Sequence, residues 1–226
     1  MRAFASILMI ALVFTCNRAL AQSEVMFEQY HVINTGQPSL YMPVMHYQHS
    51  KNWYAEARYN YEDVETFSLY LGRAFNGGKN AFNYSVVPML GGSLGRWQGI
   101  STGLNIDVDL NDFFFSSQSQ YSRSTGLYGD YFVYNWSEVG YQSLKWLYAG
   151  LSLQHTHERF AGSELQPGFM VGFTFNRFTI PLYTFEPFNS GRNFIIGVTM
   201  EWTHKKRKQP ALVKDETTGR TTPFGK

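Results

Sequence analysis

The chain has 226 residues, a formal net charge of +2 and an aromatic content of 17%. So small a positive surplus, with no basic stripe through the body, excludes a nucleic-acid footprint. After the first segment no apolar run approaches the ~20 residues of a spanning helix, so any membrane crossing must be made by strands.

Residues 1–21 come first in chain order. "MRAFASILMIALVFTCNRALAQ" places Arg2 before an apolar stretch, 3–15, and a small-x-small site at Ala19-Leu20-Ala21. That is the pattern of a secretory signal peptide cleaved after Ala21. Cys16, the single cysteine of the chain, lies inside it. The mature protein is therefore expected to hold no disulfide and no thiolate metal site.

Residues 22–203 read as one domain built from strand-length segments. The period of two recurs at 25–33, 40–49, 53–61, 66–75, 81–90, 99–110, 113–123, 131–141, 146–156, 168–175, 178–185 and 194–202. In "GISTGLNIDVDL", Ile100, Thr102, Leu104, Ile106, Val108 and Leu110 share one face, and Ser101, Gly103, Asn105, Asp107 and Asp109 share the other. A soluble sandwich would turn the apolar face inward, whereas an outer-membrane barrel turns it to lipid and the aspartates to a wet lumen. Abundant Tyr and Phe on a chain of mean hydropathy −0.27 favour the barrel. Glycines 72, 103, 150, 172 and 197 fall on the polar face, where they leave room for neighbouring Tyr and Arg side chains. In 131–141 neither parity is cleanly apolar, which predicts a bulge or a half-buried strand. Pro43, Pro88 and Pro181 each remove a ladder donor and are expected near rims or bulges.

The connections alternate. "SKN", "NGGKN", "ND", "QSLK" and "NR" are tight, and "EDVE", "GGSLGRWQG", "STGLYGD", "HERFAGSELQ" and "EPFNSGRN" are longer. Short turns belong to the periplasmic side of an outer-membrane barrel and long loops to the outside. The expected fold is thus all-β, an antiparallel up-and-down transmembrane β-barrel of twelve strands, with both termini in the periplasm. Ten strands remain if the first hairpin lies outside the wall. The last strand, "NFIIGVTMEW", spaces Gly197, Met200 and Trp202 in a way that resembles the C-terminal signal read by the barrel-assembly machinery, except that a tail follows. That tail, 204–226, opens with "HKKRKQ" and is too polar to fold alone. It is expected to be a disordered periplasmic segment.

Glu56, Arg58, Arg73, Asn105, Asp107, Asp109 and Glu138 are the candidate lumen-lining side chains, either a selectivity ring or a mutually neutralising filling. In "QHTHER", His155, His157 and Glu158 form an alternative site, half a metal site or an acid–base pair. Outer-membrane lipid A deacylases set a His and a Ser two apart on a strand, and here Thr156 stands between two histidines. His46 and His49, three apart, point to opposite faces of a strand. Glycine-rich phosphate loops, HExxH and Gly-x-Ser-x-Gly motifs do not occur, and no cofactor is expected.

The runs "ARYNYED", "VVPMLGGSLG", "YFVYNWSE" and "AGLSLQHTHE" together resemble small bacterial outer-membrane barrel proteins without an assigned activity. The resemblance implies the barrel fold, a bacterial outer-membrane location and outer-membrane lipid as surroundings; it brings no catalytic residues. The functional expectation is a structural barrel or a small-solute pore, its lumen partly filled by polar and charged side chains. Two alternatives are an outer-leaflet lipid-modifying hydrolase near His155 and a soluble periplasmic β-sandwich that binds a ligand.

Overall fold

In a computed structural model the described residues are 23–34, 39–126, 129–189 and 191–203. The expected signal peptide and basic tail lie outside them. Thirteen strand segments follow one another in this part of the chain. They are β1 (Glu24–Asn34), β2 (Leu40–Gln48), β3 (Trp53–Tyr59), β4 (Thr66–Arg73), β5 (Phe75–Lys79), β6 (Phe82–Gly95) and β7 (Gly99–Leu110). Then come β8 (Phe113–Ser124), β9 (Tyr131–Leu144), β10 (Leu147–Glu158), β11 (Gly162–Phe175), β12 (Phe178–Phe185) and β13 (Asn193–Thr203). All neighbours pair antiparallel, β1 pairs with β13, and β4 pairs with β6, so the sheet closes on itself. Closure leaves no wall edge to template aggregation.

The wall has twelve positions. β4 and β5 are separated by Ala74 alone and pair with successive halves of β6 in one register, Gly72 opposite Met89 and Phe75 opposite Val86. The interruption faces Pro88, which has no N–H to give the ladder. β5 is thus the short extra segment that continues β4. Pro181 has the same effect: the β12–β13 ladder stops at Thr179–Thr199 and resumes at Leu182–Ile196. Pro88 and Pro181 therefore interrupt ladders inside the wall, which corrects the expectation that they sit near rims or bulges, whereas Pro43 lies just beyond the last β2–β3 pair, Val44–Arg58. A register shift does occur next to β9, between Leu147 and Ala149 of β10, at the end of the strand and not in its middle.

The closed barrel is polar and aromatic inside and apolar outside. Along β4, Thr66, Ser68 and Tyr70 are fully buried in the interior, while Leu69 and Leu71 are 49% and 61% exposed. Leu90, Leu94, Ile100, Phe169, Val171, Phe194 and Ile196 likewise project outward. Water would not tolerate this many contiguous apolar side chains, and hydrocarbon requires them. The soluble sandwich is excluded.

At the end that carries both termini, Asn80, Asn111 and Asn176 open two-residue turns with φ of 58°, 54° and 58°. Asparagine tolerates this left-handed geometry better than other residues with a Cβ, which makes these turns legible. At the opposite end the connections are 60–65, 96–98, 159–161 and 186–192, alongside 35–39 and 125–130. Two of these are shorter than their composition suggests. β6 continues through Gly91-Gly92-Ser93-Leu94-Gly95 and β11 begins at Gly162, so most of "GGSLGRWQG" and "HERFAGSELQ" is strand. Cross-strand pairing supplies the hydrogen bonds that glycine-rich composition does not advertise.

Inward glycines admit rings. A Cβ at Gly172 would lie 1.9 Å from Cζ of Tyr148, and one at Gly91 would lie 2.4 Å from Cδ1 of Tyr70.

Candidate functional site in the barrel lumen

Two clusters fill the lumen from opposite walls. The first centres on Arg58 of β3, which is 2% exposed. Its Nε bonds Glu56, its Nη1 donates to Oε1 of Gln120 at 2.7 Å, and the same nitrogen lies 3.6 Å from Glu62. The guanidinium carbon sits 4.3 Å from the ring centre of Tyr61 and 4.6 Å from that of Tyr70. Gln120 belongs to β8, so the bond reaches across β4, β6 and β7. Asn105 of β7 donates to Oε2 of Glu56 at 3.4 Å and to the Tyr54 hydroxyl at 3.5 Å. Tyr54 in turn donates to Glu56. His46 of β2 sits between two carboxylates, its Nε2 3.3 Å from Glu28 and its Nδ1 3.0 Å from Glu56. The Tyr70 hydroxyl donates to Glu62 at 2.8 Å. Every charge in this group has an opposite charge beside it, which a buried ion needs.

The second cluster is aromatic. Trp136 of β9 packs against Tyr30 of β1, ring centres 5.5 Å apart, although β10 to β13 lie between them in the wall. Tyr183 and Phe185 of β12 meet the same indole at 5.1 and 5.9 Å. The indole N–H donates to Ser152 at 2.8 Å, so the polar edge of the ring is satisfied. From the loop 60–65, Tyr61 turns inward, donates to Gln118 at 3.2 Å and meets Tyr134 edge-on at 5.8 Å. Between Glu28, Glu138 and these rings a cavity of about 160 Å³ remains.

The sequence-based candidates separate on this geometry. Glu56, Arg58 and Asn105 come together in the charged cluster. Glu138 lines the cavity on the aromatic side. Asp107 and Asp109 share the inward face with Asn105, opposite Ser116 and Phe114, and are exposed. Arg73 does not join them. It shares a face with Leu69 and Leu71, and its guanidinium carbon lies 5.8 Å from the Trp53 ring centre on the outer surface. The parity of 66–73 already places it there, one residue out of step with Tyr70 and Gly72.

The sequence reading did not single out Glu28, His46, Glu62 or Gln120. Glu28 lies on the least regular strand, and Glu62 enters the lumen from a loop, where no periodicity applies. His46 and His49 do face opposite ways: His46 is buried inside, and His49 Nδ1 accepts from the Lys51 amide in the turn.

His157 lies on the outward parity of β10, with its Nδ1 2.7 Å from Oγ of Ser163 across the hairpin to β11. Spacing along one strand could not reveal this pair. Glu158 is paired with Gly162 at the rim, and His155 with Leu165 on the same outer face as His157. Among the described residues no group of three potential ligands converges on a metal position.

No protein-family model matches the sequence, and no curated protein matches it either. Solved structures do resemble it. A KdgM porin shares 11% identity at a TM-score of 0.51 over 77% of this chain and 98% of that one. A NanC porin shares 11% at 0.52 over the same proportions. A second KdgM structure, in complex with disordered oligogalacturonate, aligns at 9% identity and 0.51. The fold is that of the bacterial outer-membrane porins.

Proposed function

We propose that this protein is a narrow outer-membrane pore for small solutes, constricted by side chains of its own wall. One observation carries the reading: the cross-lumen bridge from Arg58 to Gln120, inside a barrel whose outer surface is apolar. A filled structural barrel needs packing, but it has no need of the roughly 160 Å³ of space left beside Glu138. Twelve strands enclose a section between small filled barrels and wide porins, so the side chains decide the bore.

On the described strands and the loop 60–65 the inward carboxylates, Glu28, Glu56, Glu62, Asp107, Asp109, Glu138 and Glu201 among them, outnumber the inward bases Arg58 and His46. An acidic saccharide such as the one in the KdgM complex therefore does not transfer to this chain. The test is conductance of the refolded protein in planar bilayers. Small steps in the wild type that grow severalfold in Arg58→Ala support a side-chain constriction. Absence of steps in both proteins would leave a purely structural barrel.

A further inference from the structure

The cavity beside Glu138 has a chemistry of its own. Two carboxylates, Glu28 and Glu138, and five rings, Tyr30, Tyr61, Trp136, Tyr148 and Tyr183, line it. Its volume of about 160 Å³ is close to the ~150 Å³ of an engineered cavity that accepts benzene. Glu28 has His46 at 3.3 Å and accepts from the Tyr30 hydroxyl at 3.2 Å. Glu138 accepts a hydrogen bond from Tyr183 but has no ion pair among the described residues. No Lys or Arg lines the cavity. A carboxylate held out of bulk water without a counter-ion is costly, and a cation placed there would remove the cost. The faces and edges of the surrounding rings add to this, because a desolvated cation within ~6 Å of an aromatic face is attracted by its quadrupole.

Toward the termini the acidic character continues. Ser116 lines the cavity and stands opposite Asp107, with Asp109 two residues further along the same face of β7. From these contacts we infer that the cavity is a lumenal binding site for a small organic cation, a protonated or quaternary amine. The Arg58 cluster is already neutralised and offers no such place; the aromatic half provides both the space and a carboxylate without a counter-ion.

This inference rests on the pore reading for the ligand's route but not for its binding, so the two fail separately. Choline serves as the probe, titrated by calorimetry into the detergent-refolded barrel at low salt, with Trp fluorescence as a second signal. Its neutral isostere, 3,3-dimethylbutan-1-ol, is titrated in parallel. Saturable choline binding, an isostere at least about tenfold weaker, and a loss of about tenfold or more in Glu138→Gln are expected. The isostere comparison uses wild-type protein alone and holds even if the variant fails to refold. Wild-type protein that ignores choline, or binds both probes equally, overturns the site. Conductance without choline binding would leave the pore standing and remove the site. Choline binding without conductance would do the reverse.

Discussion

The two halves of the lumen fill the same kind of space by different physics. On the β2–β8 side, Arg58, Glu56, Glu62 and His46 form a closed ionic network. On the β9–β13 side, Trp136, Tyr30, Tyr183 and Tyr148 leave a cavity. Ions buried together must touch, because each unpaired one is expensive. Planar rings have fixed shapes and meet at tilted or edge-on angles, so they brace a barrel without sealing it. On the reading proposed above, the charged half is the constriction and the aromatic half the place where a solute fits.

The largest effect should come from opening the ionic half. Arg58→Ala leaves Glu62 without a base and Glu56 with His46 alone, and removing one partner of a buried pair costs about 3–5 kcal/mol. The heat-modified gel transition should fall accordingly, and conductance should rise. A variant as stable and as narrow as wild type would show that the network does not constrict the lumen.

A second substitution tests the surface that both halves share. Ile106 faces outward on β7 and Asp107 inward. An Arg at the bilayer midplane costs about 2–4 kcal/mol, so Ile106→Arg should impair membrane assembly far more than Asp107→Arg. Equal assembly yields would contradict the inside–outside assignment.

In the aromatic half, Gly172→Ala drives a methyl into the Tyr148 ring. Overpacking of this kind costs about 1–3 kcal/mol, and the displaced ring should narrow the cavity and weaken choline binding. Unchanged binding and stability would mean that Tyr148 moves freely and does not shape the cavity.

The smallest effect is a labelling difference with no expected change in stability. Ser163 is exposed at the end away from the termini, and Ser143 lies by the β9–β10 turn at the end that carries them. On intact cells an impermeant maleimide should label Ser163→Cys and spare Ser143→Cys. The opposite result would invert the barrel in the membrane.

Much of the wall was legible because a strand declares itself locally. The alternation in 99–110 and 178–185 gave the observed strand limits, and the asparagine-led turns marked one end of the barrel. The ends of β6 and β11 were not legible: Gly91 to Gly95 are held by pairing with β4, and Gly162 to Pro167 by a tight hairpin with β10 that their composition does not announce. The site was legible only in pieces. Glu56, Arg58 and Asn105 follow from parity, but the residues that complete them come from elsewhere: Glu62 from a loop, His46 from the neighbouring strand β2 and Gln120 from β8, remote in sequence.

By itself, then, the amino-acid sequence determined the strand periodicity, the apolar outer face and the twelve-strand count, because each depends on neighbours along the chain or on the solvent outside. Which inward side chains meet was decided only by closure of the sheet, which sets Tyr30 against Trp136 and Arg58 against Gln120. Contacts across a lumen depend on the curvature and stagger of the whole wall, and no local pattern of residues encodes them.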